Sequence, residues 1–123
     1  MRTEFKTPIN GVTATTTSEA IQIDGAKRIS WFFTRADHSA GSSAFAITVS
    51  IDGDTYVTFS KLISNATNTN SQTKTRVASV SLSSDTTSEV AMDLENSVYR
   101  FMKVTVTEVT DGTHSARCLI EYI

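Results

Sequence analysis

The stretch "SIDGDTYVTF" (Ser50 to Phe59) sets two carboxylates, Asp52 and Asp54, on either side of Gly53. That pairing could hold a hard cation. Calcium takes about six to eight oxygens, however, and no EF-hand spacing follows. Aspartate next to glycine is also what a tight turn uses: the carboxylate bonds nearby backbone N–H groups, and glycine accepts positive φ. The stretch reads as a hairpin tip.

His38 and His114, the two histidines, are the residue type best suited to proton transfer near neutrality. Asp37-His38 precedes "SAGSS", so Ser42 and Ser43 complete the residue types of a Ser/His/Asp triad. No G-x-S-x-G elbow and no strand-to-helix turn accompanies them. His114 follows Asp111-Gly112 in a second turn, and both histidines are expected to be solvated turn residues. Zinc would need further ligands at suitable spacing. Cys118, the single cysteine, falls mid-strand and is expected as a small core hydrophobe. Asp85, Glu89, Asp93 and Glu95 are scattered near strand ends and do not form a glycosidase pair. The expectation is no catalytic residue, no metal site and no cofactor. Among the aromatics, Trp31 alternates in phase with Ile29 and Phe33 and belongs inside. Phe32 and Tyr56 are the surface candidates, for a sugar platform or a neighbouring subunit.

The elements that must carry these residues are strands. Period-2 alternation runs through "RISWFFTRAD", "AFAITVSID", "TRVASVSLS", "EVAMDL", "YRFMKVTVTEV" and "ARCLIEYI", with weaker candidates in "VTATTTS" and "AIQID". The expected core is Ile29, Trp31, Phe33, Phe45, Ile47, Val49, Ile51, Val80, Leu82, Met92, Leu94, Met102, Val104 and Ile120. Asp24-Gly25, Asp52-Gly53 and Asp111-Gly112 are hairpin signals, because a type I′ turn needs φ > 0 at both central positions. No apolar stripe at helical spacing is long enough for a helix. The expected fold is all-β: an antiparallel two-sheet β-sandwich, a jelly roll of eight or nine strands. Residues 1–17 are expected as an N-terminal arm reaching neighbouring subunits, and 18–123 as one sandwich domain. The long polar run Ser64 to Lys74, "SNATNTNSQTK", has no core role available and is expected at an interface. Its Asn65-Ala66-Thr67 matches a glycosylation sequon, read as accidental.

Composition narrows the setting. A net charge of −2 and dispersed basic residues argue against nucleic acid, and no apolar run suits a membrane. Serine and threonine fill 36 of 123 positions, which suits strands with neutral polar outer faces. The start "MRTEFKTPIN" has no apolar run, so no secretory signal is expected and folding in a reducing host cytoplasm is. Virion proteins combine that origin with a life outside a cell.

The run "ISWFFTRADHSAGSSAFAITVSIDGDTYVTFSKLISNATNTNSQTKTRVASVSL", followed by "YRFMKVTVTEVTDGTHSARCLIEY", resembles small β-sandwich virion structural proteins of tailed bacteriophages, of the decoration or minor virion type. The resemblance spans roughly Ile21 to Tyr122 and implies a fold and a setting without a mechanism. "SIDGDTY" is also similar to the S-x-D-G-x-x-W hairpin of discoidin-like jelly rolls, with Tyr56 where that pattern has Trp. The resemblance implies a non-enzymatic capsid decoration (cement) protein on the outside of the shell. Its partners would be the major capsid protein or other virion proteins, and its own copies in a homo-oligomer, with a trimer expected. The alternatives are a carbohydrate-binding module on a virion or cell surface, meeting a surface glycan, or a tail, neck or head-fibre component. Interface expectations fall on Phe5, Ile9, Phe32, Tyr56, Asn65, Asn68, Asn70 and Gln72.

Overall fold

The computed structural model describes residues 2–64, 75–95, 97–107, 109 and 111–122. Six strands are long: β1 (Arg2–Val12), β4 (Ala26–Ala36), β5 (Ser43–Ser50), β10 (Thr86–Asp93), β11 (Phe101–Thr107) and β12 (Thr113–Tyr122). Six are short: β2 (Thr16–Thr17), β3 (Ile21–Gln22), β6 (Val57–Thr58), β7 (Leu62–Ser64), β8 (Thr75–Val77) and β9 (Val80–Leu82). None of the described residues lies in a helix long and apolar enough to cross a membrane.

The strands form two antiparallel sheets, the sandwich that alternation implied. The first runs β1-β12-β4-β10-β7-β8. In the second, β2 and β3 line one edge of β11, which pairs with β5, whose far edge carries β6 and β9. Along the chain β1, β4, β10 and β12 fall in one sheet while β2/β3, β5, β6/β9 and β11 fall in the other. This interleaving is compatible with a jelly roll. Short strands pair end to end along one neighbour, so the chain makes more strands than the eight or nine expected.

One face of β4, β5, β10, β11 and β12 fills the space between the sheets, and β1 adds Ile9. Trp31, Phe33 and Phe45 stack in series, with centroids 5.6 and 4.6 Å apart. The Trp31 indole N–H donates to Met92 Sδ at 3.3 Å, so the buried ring leaves no orphan donor. Of the expected core, all but Ile51 are buried. Ile51 is 60% exposed because β5 stops at Ser50, whose hydroxyl accepts the Gly53 N–H and starts the turn.

Other expectations are corrected. Residues 2–12 are β1, paired with β12 from Arg2↔Tyr122 to Val12↔His114, so this stretch is part of the sandwich and not a separate arm. Ile9, expected at an interface, is 1% exposed: a register shift after Lys6 turns it into the core. "TRVASVSLS" is two strands, β8 in the first sheet and β9 in the second, with the chain crossing at Ala78-Ser79. The Asp-Gly turns have positive φ at glycine only, so none is type I′.

Candidate functional site

At Asp52 the carboxylate accepts the N–H groups of Asp54 and Thr55 at 2.9 and 3.0 Å and the Ser50 hydroxyl at 2.9 Å. Those bonds, led by the Thr55 N–H, hold its pKa below the usual carboxylate range. It is a loop tip whose lone pairs are used by its own backbone. No group of three or more metal-ligating side chains occurs among the described residues.

The residues best suited to chemistry converge at one end of the sandwich, in a different grouping from the one expected. Arg35 continues the inward phase of Ile29, Trp31 and Phe33, Ser43 that of Phe45, and His114 that of Ala116 and Cys118. All three are buried. Ser43 Oγ lies 2.8 Å from His114 Nε2 across the two sheets. Ser43 therefore meets His114, not His38, and His114 is a core residue and not a solvated turn residue. Burial lowers its pKa, the nearby Arg35 charge adds to that, and the Val12 carbonyl opposes it.

Arg35 binds the loops around it. Its guanidinium donates to the carbonyls of Gly41 and Leu82 at 2.9 Å, of Ala40 at 2.9 Å, and to the Asp111 carboxylate at 3.2 Å. The second Asp111 oxygen accepts the Ser39 hydroxyl and the N–H groups of Ser39 and Ala40 at 3.1 and 3.0 Å. Ser39 is the leading cause of the low Asp111 pKa. His38, half-buried, is held through Nδ1 and its own N–H by Asp85. Arg35, Asp111 and Asp85 thus fasten the β4–β5 connection to the turns before β10 and β12, while the Ser43–His114 bond joins β5 to β12. A Ser/His pair enclosed at 1% and 0% exposure meets no substrate from solvent.

A different surface is presented to solvent. Across the outer face of the first sheet, register places Phe5, Leu119, Ser30 and Ala91 in one row over β1, β12, β4 and β10. The next row along the strands is Arg117, Phe32 and Glu89; on the other side lie Thr3, Glu121, Arg28 and Asp93. Phe5, Phe32 and Leu119 are 64%, 42% and 47% exposed and border a groove of about 430 Å³ floored by Ser30. The outer face of the second sheet is plain by comparison, with Thr17, Thr105 and Ala46 in one row and Lys103, Thr48 and Thr58 in another. The structure therefore brings Phe5 and Phe32 together on one face, and Leu119 was the member that sequence reasoning left out. Its signal was present: it alternates out of phase with Cys118 and Ile120.

Tyr56 does not join them. It is half-buried, its hydroxyl is enclosed, and Lys103 Nζ sits 4.4 Å over its ring. Asn65, Asn68, Asn70 and Gln72 lie outside the described residues. At the open side of the sandwich, a polar cleft of about 400 Å³ is lined by Arg2, Glu4, Lys6, Gln22, Asp24 and Tyr122. Glu4 is paired with Lys6 at 3.6 Å and Asp24 with Arg100 at 2.9 Å, and the Arg2 guanidinium lies 4.3 Å over the Tyr122 ring.

No family model matches the sequence, and no curated protein does. Solved structures do match. YomS, an SPBc2 prophage-derived protein, superposes with a TM-score of 0.68 at 12% identity, covering 97% of this chain and 92% of that one. XepA, a PBSX exported protein, gives 0.76 at 13% identity, covering 97% of this chain but 37% of its own length. The chain thus corresponds to about a third of XepA. At such identities the likeness is one of fold: this β-sandwich has the fold of two phage-derived proteins.

Proposed function

We propose that this chain is a non-enzymatic structural protein of a bacteriophage virion, and within that setting a decoration (cement) protein bound to the outside of the shell. The observation that carries the reading is the fold, shared over 97% of the chain with two phage-derived proteins. The internal use of the reactive side chains supports it: Ser43, His114, Arg35 and Asp111 all hold the fold together. A cement protein needs shape and contact area, and a rigid sandwich with one apolar outer face supplies both. The Asn65, Asn68, Asn70 and Gln72 side chains are proposed as polar contacts to the major capsid protein. A carbohydrate-binding role loses its aromatic platform at the hairpin, since the Tyr56 ring is covered by Lys103.

The test is binding to empty capsids of the encoding phage, read by co-sedimentation, with tails and host glycans as parallel probes. Saturable binding to shells is expected. Binding to isolated tails alone would move the assignment to a tail or neck component, and binding to glycans alone would replace it with the carbohydrate reading.

A further inference from the structure

The apolar outer face of the first sheet differs from the other exposed surfaces in being patterned in charge as well as in size. Arg117 and Glu89 are both exposed and lie two strands apart, with Phe32 between them, on β12, β4 and β10. Across one sandwich they point the same way and form no ion pair. Large Phe5 and Leu119 share a row with small Ser30 and Ala91. In the Phe5 row the large residues thus lie on β1 and β12 and the small ones on β4 and β10, whereas in the next row Phe32 stands on β4 between Arg117 and Glu89.

We propose that this face binds a second copy of the same chain, face to face, about a two-fold axis parallel to the strands and running between β12 and β4. Turning a copy over about that axis sets β12 over the second copy's β4, and β1 over its β10. Leu119 then falls on Ser30 of the second copy, and Phe5 on its Ala91. Arg117 lies over the ring of the other Phe32, one strand from the other Glu89, and Glu121 meets the other Arg28. Every such contact occurs twice, as an isologous interface requires. Other axes gain opposite-charge contacts, Arg117 on Glu89 about β4 and Arg117 on Glu121 across the strands, but each also brings like charges together. A two-fold along β4 sets Arg28 on Arg28 and Glu121 on Asp93. One across the strands through the Ser30 row sets Asp93 on Glu89.

The sheet edge is less suited to association than the face. Strand β1 carries Pro8 and Lys6 and two register shifts, devices that blunt edge pairing. Four strands about 4.8 Å apart and roughly eight residues long give a footprint on the order of 500 Å² per copy. Two such footprints sit near the lower end for a specific interface, which implies a reversible dimer in the micromolar range.

Charge reversal with mixing tests this. In sedimentation velocity over a concentration series, the native chain should pass from 13.4 kDa to twice that mass. Arg117→Glu and Glu89→Arg should each shift the midpoint at least about tenfold toward monomer, because each places like charges together twice. An equimolar mixture of the two variants should restore the dimer, since each chain then supplies the charge the other lacks. Leu119→Ser should also weaken association, with an unchanged melting temperature. A native chain that stays monomeric to about 1 mM overturns the proposal, including the case in which a shell protein occupies this face. So does a dimer indifferent to both reversals, or a mixture that fails to reassociate.

Discussion

Arg35 shows how a single residue organises one end of the molecule. Its guanidinium is enclosed and bonded to two loops and the end of β9, so replacing it leaves the Gly41, Ala40 and Leu82 carbonyls without their donor. Arg35→Met should cost on the order of 3 kcal/mol in urea denaturation. His114 gives that end a pH dependence. Its folded pKa is depressed while the unfolded chain titrates near the ordinary value, so the unfolded state binds a proton first as pH falls. Stability from this residue should therefore be intact above about pH 6.5 and decline below it, and His114→Gln should flatten the decline. Gly112 has φ 88°, and a Cβ there would lie 2.9 Å from the Ala36 carbonyl oxygen. Gly112→Ala should lower stability by about 1–3 kcal/mol. Cys118 is buried and its thiol is pushed up to about 12, so native protein should react with a disulfide reagent only as fast as it unfolds. The burial of Arg35 and His114 was legible in the period-2 phase of their strands. Polarity pulled the reading toward solvent, although an end-of-strand position with loop carbonyls above it can satisfy a buried cation.

At the level of elements, alternation located the long strands because each has a wet face and a dry face. It named Ile29, Trp31 and Phe33 on β4 as core and left Phe32 outside, as found. Trp31→Ala should cost about 3–5 kcal/mol. The reading failed where alternation is interrupted. In β1 the inward positions of the first half are Glu4 and Lys6, facing the open side of the sandwich, so a real strand looked like an arm. Only its backbone pairing with β12 reveals it. Hydrogen exchange separates the two descriptions: amides of β1 that pair with β12 should be protected to near the global stability, whereas an arm would exchange at the free-chain rate. "TRVASVSLS" misled for a related reason. The inward phase changes at the crossing: Val77 packs on the core from β8 and Val80 and Leu82 from β9, with Ala78 and Ser79 exposed between them.

For the whole molecule, the sandwich and its two faces were open to sequence reasoning, while the pairing order and the meeting of Phe5 with Phe32 were not. Those depend on which strands become neighbours, and β1 and β4 are brought to either side of β12 by a strand from the far end of the chain. Under the proposed function, Arg35 and Asp111 serve the chain's own loops, and binding to the shell falls to its surfaces. Co-sedimentation of the purified chain with empty capsids of the encoding phage tests that account most directly. It predicts saturable binding, with a fixed ratio of this chain to capsid subunits in the pellet. A chain left wholly in the supernatant at micromolar excess over its binding sites would contradict it.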